Sequence, residues 1–288
     1  MRKLSVNLID EARGAYELAG AEIDLKDTFE CGQCFRWNFV DGAWQGVACG
    51  KVVRMAQSKD GIIIENTTEY DIKNIWIPYL DLKHDYEPAR RACEGNEFLT
   101  AAAEHGKGIR ILRQPPEETL FSFIISANNN IKRITGIVDR LCILAGEKHE
   151  GTTEYYSFPA PEAIAELTVE QLTAIGSGYR APYIKGSARM IADGYELETL
   201  RNVPTAAARI ELLRFPGVGP KVADCVLLFS LGHADAFPLD VWMKRAMRLM
   251  YFQGAEPGKK AMEDQIAALG PNSGILQQYI FQYARENM

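Results

Sequence analysis

The chain has 288 residues, 47% of them hydrophobic, and a formal net charge of −6, enough apolar material for one large or two moderate cores and too much for a disordered chain. The opening MRKLSVNLID lacks an apolar run of signal-peptide length, and no stretch approaches the ~18 uninterrupted apolar residues of a membrane span, so a cytoplasmic globular protein is expected. The six cysteines are scattered, which speaks against a disulfide framework; Cys31 and Cys34 form a lone CxxC with no second pair at metal-ligand spacing and read as ordinary residues near a strand.

From about Phe35 to Glu65 the pattern is that of antiparallel strands. FRWNFV and WQGVAC flank Asp41-Gly42, a two-residue hairpin signal, and KVVRMAQ alternates before returning through SKDG to IIIE. After Tyr70 the apolar residues Ile72, Ile75, Trp76 and Tyr79 fall on one helical face. Pro115-Pro116 marks a boundary between an N-terminal α+β domain over 1–114 and a helical domain over 115–288. In the latter, Leu120, Phe123 and Ile124 begin an amphipathic helix that breaks at Asn128-Asn129-Asn130, good capping residues, and restarts with Ile131, Ile134, Val138 and Leu141. Thr168 with Gln171 fits a capping box, and Pro204-Thr205 opens another helix. The fold class is therefore α+β: an antiparallel sheet domain followed by two helical lobes with a cleft between them.

The segment LLRFPGVGPKVADCVLLFSLGHADAFPLDVWMKRAMR, from Leu212 to Arg248, carries the strongest motif. A helix runs to Phe215, Gly217-Val218-Gly219 makes a tight turn, and a second helix begins near Pro220. Such a helix-hairpin-helix, here within about 205–250, binds phosphate, because glycines admit close approach and the free N–H groups of the second helix point outward. A plain helical corner is the structural alternative. Residues 176–248 carry 10 basic against 7 acidic side chains, so this is the one stretch with a positive balance, +3, in a chain of −6. Lys221 lies in the first turn of the second helix, where the helix dipole disfavours a cation, and such a broken local rule points to function. Asp240 precedes the helical run VWMKRAMRLM as a natural N-cap.

With this hairpin and its following Asp, the sequence resembles the helix-hairpin-helix superfamily of DNA glycosylases, and Lys221 resembles its bifunctional branch. GQCFRW (32–37), FSFIISANNNIKRITGIVDRLC (121–142), GYRAPYI (178–184) and LGPNSGILQQYIF (269–281) are similar to segments of the 8-oxoguanine DNA glycosylase/AP lyase family, in the same order along the chain. That resemblance implies excision of 8-oxoguanine opposite cytosine from double-stranded DNA by a monomer that needs no cofactor. Lys221 would attack the sugar and form a Schiff base, with Asp240 stabilising developing positive charge. A thiolate at Cys225 would hold the lysine protonated, and desolvation would oppose that.

Residue by residue, the resemblance implies that Asn128 fills the gap left by the extruded base and Tyr179 wedges beside its former partner. Arg133 and Arg180 would hydrogen-bond the opposite cytosine. In the base pocket Phe281 and Cys225 would sandwich the base, Gln277 would address its Watson–Crick edge, and the Gly32 carbonyl would accept the N7 hydrogen of the lesion. Taken alone, these residues read as a helix cap, a core tyrosine, solvated arginines and core side chains. The sequence departs from the family pattern at Trp242, where a backbone-contacting His is frequent. No cysteine follows Cys225, unlike the iron–sulfur branch. Two rival readings are a monofunctional alkylated-base glycosylase, against which Lys221 speaks, and a non-catalytic hairpin module that only grips DNA.

Overall fold

The computed structural model describes residues 3–149 and 155–287. Six strands, β1 (Ser5–Asp10), β2 (Ala15–Ala19), β3 (Trp37–Val40), β4 (Ala43–Ala48), β5 (Lys51–Gln57) and β6 (Gly61–Glu65), form one antiparallel sheet in the order β1-β2-β6-β5-β4-β3. The β3–β4 hairpin turns at Asp41-Gly42 with φ of 48° and 77°, the doubly left-handed loop whose twist matches the flanking strands. Alternation works as expected in β5 and β6, where Val53, Met55, Ile62 and Ile64 are buried. The sheet is larger than the span from Phe35 to Glu65. β1 and β2 add an edge whose outer strand exposes Leu8 and Ile9, so its sequence shows no clean two-residue period.

Beyond the sheet the described residues are mainly helical, with only a two-residue pairing of Lys148–His149 and Tyr155–Tyr156 as a second sheet. Helices at Pro116–Ser126 and Ile131–Ala145 flank the asparagine triplet, and Asn130 caps the second by accepting from the Arg133 N–H at 3.0 Å. The capping box at Thr168 and Gln171 is formed in both directions. The helical face at 72–79 buries Ile72, Trp76 and Tyr79, with a π turn over Ile72–Trp76.

The apolar cores do not divide the chain at a single point. One cluster joins the sheet to Ile72, Trp76, Leu80 and Leu112; the other unites Cys31, Phe35 and the residues from Tyr86 to Ile111 with the helices after Leu120. The helix Glu97–His105 packs on the C-terminal helix Ser273–Asn287. Residues 109–114 pass between the cores without a strand partner; the N–H groups of Ile109, Arg113 and Gln114 reach the carbonyls of Gly106, Tyr79 and Phe229, while those of Arg110, Ile111 and Leu112 are satisfied by side chains. The fully buried Gln33 amide donates to the Thr28 and Arg110 carbonyls, each at 2.8 Å, and accepts from the Leu112 N–H at 2.9 Å. The Tyr86 hydroxyl accepts from the Ile111 N–H at 2.8 Å, and the Gln114 amide returns to the Gln33 carbonyl at 2.7 Å. A second tie is the buried pair of Arg36 and Glu118, 3.4 Å apart, in which Arg36 also donates to the Tyr156 carbonyl.

Replacing Gln33 with an apolar residue of similar size leaves the buried Arg110 carbonyl and Leu112 N–H unpaired, at about 1–3 kcal/mol each, while the Thr28 carbonyl keeps the Cys31 thiol. Gln33→Leu is expected to destabilise the protein by at least about 2 kcal/mol, read as a lowered urea midpoint with little change in slope. An unchanged midpoint would show that the 109–114 segment finds other partners.

Candidate active site

The hairpin is built as its residues require. Its first helix spans Thr205–Leu212, three residues short of the expected end at Phe215, because the chain already turns at Leu213–Pro216. Gly217 has φ of 78°, and a Cβ there would lie 2.7 Å from the Tyr183 Cβ, so both conformation and space demand glycine. Val218 is buried and its N–H bonds back to the Phe215 carbonyl at 3.1 Å, closing the turn. Gly219 caps the second helix, Pro220–Val226, without a side-chain hydrogen bond, leaving its first N–H groups for an external acceptor. A π turn at Leu227–Leu231 prolongs this helix. Arg209 of the first helix pairs with Asp224 of the second at 2.6 Å and staples the hairpin, although burial still pushes the Asp224 carboxyl up to about 6.

Lys221 projects from the first turn of the second helix, half-buried, with Nζ 3.3 Å from the Ser126 Oγ and 4.8 Å from the centroid of the Phe123 ring. Cys225, one turn on, is 1% exposed, and burial pushes its thiol up to about 12 against the opposing pull of Lys221. It is therefore a neutral thiol, and the thiolate that would hold the lysine protonated is absent at neutral pH. Asp240 caps the helix Val241–Tyr251, its Oδ1 accepting from the Met243 N–H at 2.7 Å. One carboxylate oxygen is thus committed to the fold and orients the other.

The expected base-pocket residues come from three separate parts of the chain. Gly32 follows the helix Leu25–Glu30 with φ of 83°, and a Cβ built on it would meet the Phe281 ring edge at 3.7 Å. These two residues are therefore neighbours although one opens the chain and the other closes it. Gln277 lies on the same helix as Phe281 and is 3% exposed; its amide donates to the Pro238 carbonyl at 3.2 Å and accepts from the Gln278 amide at 2.8 Å. Each end of the Gln277 side chain is held by one bond, which orients the amide and leaves one N–H and one oxygen lone pair for a further partner. Arg285 sits 6.0 Å from the Phe281 ring centroid and donates to the Glu30 carbonyl at 3.0 Å, bracing the pocket wall.

The residues expected to face DNA gather around the turn 127–130. Asn128 is exposed with φ of 49°, and Arg133 is exposed at the start of the next helix. Tyr179 is 55% exposed and its hydroxyl donates to the Ala127 carbonyl at 3.2 Å, so it is no core tyrosine. Arg180 is no solvated arginine: it is 3% exposed. Its guanidinium lies 4.4 Å from the Tyr179 ring centroid and donates to the carbonyls of Ala127, at 2.9 Å through Nε, Asn128 at 3.1 Å and Ser177 at 3.2 Å. Trp242 is exposed at the start of the Val241–Tyr251 helix, with Arg245 6.0 Å from its ring. Sequence reasoning did not single out Ser126, Phe123, Gln33 or Arg285. Only their proximity in space to Lys221 and Gly32 marks them.

Among the described residues no group of His, Cys, Asp and Glu is arranged to hold a metal ion, and no helix is long and apolar enough to cross a membrane. Residues 16–120 match the 8-oxoguanine DNA glycosylase N-terminal domain family, and residues 121–272 match the HhH-GPD superfamily of base excision DNA repair proteins. The chain is 32% identical to the Arabidopsis thaliana N-glycosylase/DNA lyase OGG1 over 78% of this chain and 66% of that protein. It is 28% identical to a probable N-glycosylase/DNA lyase of Methanothermobacter thermautotrophicus over 92% of this chain and 95% of the relative. The structure of the Clostridium acetobutylicum 8-oxoguanine glycosylase/lyase with double-stranded DNA containing cytosine opposite 8-oxoguanine superposes with a TM-score of 0.91 at 36% identity, covering 99% of this chain and 98% of that one. With a resemblance that spans both halves of the molecule, the chain belongs to the 8-oxoguanine DNA glycosylase/lyase family of the HhH-GPD superfamily.

Proposed function

We propose that this protein excises 8-oxoguanine from double-stranded DNA, preferentially opposite cytosine, and then cleaves the strand as an AP lyase, acting as a cytoplasmic monomer without a cofactor. The observation that carries the reading is Lys221 itself: an amine at the mouth of a phosphate-binding hairpin, beside a neutral Cys225 and in the lobe whose Asp240 is held as a cap. In this reading the deprotonated amine attacks the sugar C1′ and the base leaves with the bonding electrons and a proton. Cleavage of the C1′–O4′ bond, with O4′ taking up a proton, then opens the sugar to a protonated Schiff base on Lys221, which acidifies C2′; loss of a C2′ proton and β-elimination expel the 3′ phosphate. Asp240 stabilises positive charge on the sugar as the base departs. Gly217, Val218 and Gly219 form the phosphate-binding turn, Val218 closing it through its own N–H while the N–H groups of Gly217 and Gly219 hold the phosphate, and Asn128 and Tyr179 keep the emptied site open.

The experiment that tests this is Lys221→Gln. Excision and borohydride trapping of a covalent adduct should both be lost, while affinity for lesion duplex persists because backbone N–H groups hold the phosphate. An adduct formed by the variant would assign the chemistry to another amine.

Arg133 and Arg180 are the proposed readers of the opposite base, from different starting points. Arg133 is free at the surface, so Arg133→Ala should relax the cytosine preference by roughly 1–3 kcal/mol with little loss of stability. Arg180 is bonded to three carbonyls, so Arg180→Ala should lower the thermal midpoint as well as the preference. Equal loss of activity against all four opposite bases for Arg133→Ala would make it a phosphate contact.

Damage recognition is assigned to the Gly32 carbonyl, because guanine and 8-oxoguanine share their Watson–Crick edge and differ at N7. An acceptor facing a carbonyl is left unpaired at about 1–3 kcal/mol, whereas the lesion's N7–H makes a bond. A side chain at position 32 would be strained at φ of 83° whatever it touched, so the substrate is the better variable. Using Lys221→Gln protein, a 7-deaza analogue of 8-oxoguanine should bind about tenfold or more weakly than the lesion. Equal affinity would move damage recognition elsewhere in the pocket.

A further inference from the structure

The proposed nucleophile does not hang free in the cleft. Its Nζ meets two groups of the helix Pro116–Ser126: the Ser126 Oγ at 3.3 Å and the face of Phe123 at 4.8 Å. The Ser126 hydroxyl spends its proton on the Phe123 carbonyl at 2.8 Å, so toward Lys221 it is an acceptor and an Nζ–H donates. The Phe123 ring has no freedom to follow the lysine. It is buried between Phe35, edge-on at 5.5 Å, and Phe229, stacked at 5.5 Å. A ring face held still in this way attracts a cation along one direction. The two contacts therefore define a seat for a side chain that otherwise has many rotamers to lose.

We infer that Ser126, supported by Phe123, is a positioning residue that seats the Lys221 amine for attack. This rests on the reading of Lys221 as nucleophile. Ser126 is the last residue of its helix, and the next carbonyls, of Ala127 and Asn128, are those gripped by Arg180 and Tyr179. The seat of the amine and the turn that faces DNA are consecutive residues of one braced segment. Displacement of that turn along the DNA shifts the seat with it. Orientation of the reacting atom is worth large factors in rate and little in substrate affinity, which separates this role from a general structural one.

The test uses the full chain with duplex carrying 8-oxoguanine opposite cytosine, measured in single turnover with borohydride trapping. Affinity is read separately on a duplex bearing a tetrahydrofuran abasic analogue. Ser126→Ala should slow adduct formation by about tenfold, the effect of losing the hydrogen bond that orients the amine, with affinity within about twofold of the parent. Ser126→Thr, which restores the hydroxyl, should recover most of the rate. Trapping at full rate in Ser126→Ala, a parallel loss of rate and affinity, or a Thr variant as slow as the Ala variant would each overturn the inference. Peptide mapping of the adduct formed by the parent protein keeps the two claims apart. An adduct on Lys221 with an unaffected Ser126→Ala rate overturns only the seat, whereas an adduct on another lysine overturns the reading of Lys221 and the seat with it.

Discussion

A buried backbone stretch with no carbonyl partner in reach must find its hydrogen bonds in side chains, and in this protein that requirement falls on the N–H groups of Arg110, Ile111 and Leu112. Gln33 meets it with one amide that joins the carbonyls of Thr28 and Arg110 to the N–H of Leu112. Arg110 completes the seam by donating to the carbonyls of Glu22 and His84 while stacking 4.4 Å from the Tyr86 ring centroid. The two apolar cores are joined across this seam. Because Gln33 directly follows Gly32, the amide that ties the cores also sets the backbone facing Phe281, so the pocket wall inherits its position from the fold.

The proposed chemistry is arranged around helix ends. Lys221 is near one helix start, Asp240 caps another, and Ser126 ends a third. Helix ends have unsatisfied backbone groups and short capping side chains, so they place polar atoms in a cleft without burying them unpaired. Around this polar centre the protein puts apolar and neutral groups: the Phe123 ring, the Cys225 thiol raised by burial, and the tightly packed second helix of the hairpin.

Much of this was legible from short-range pattern. The Asp41-Gly42 hairpin, the alternating β5 and β6, the caps at Asn130, Thr168 and Asp240, and the glycine turn at Gly217 each obey a local rule that tertiary structure did not override. The edge strand β1 escaped because exposed Leu8 and Ile9 blur its period. Arg180 reads as a surface residue, since nothing local announces that three carbonyls from two turns converge on it. Ser126 and Gln33 escaped for the same reason: their partners lie 95 residues away in one case and as many as 79 in the other, and an ordinary polar side chain gives no sign of a distant contact.

Arg180 has a thermodynamic consequence for how the two strands of a duplex communicate. Four of its five N–H groups already hold the carbonyls of Ala127, Asn128 and Ser177, so a two-pronged bond to a base exchanges at least one of them. Exchange of this kind weakens the hold on the Asn128 turn in proportion to how well the base competes. By linkage, a turn pulled toward the void of an extruded nucleotide frees the guanidinium for the estranged partner to the same degree. With Arg180 as the proposed reader of the opposite base and Asn128 as the proposed occupant of the gap, the two events are reciprocal, and fidelity toward the opposite base is a shared equilibrium tunable by residues that never touch DNA.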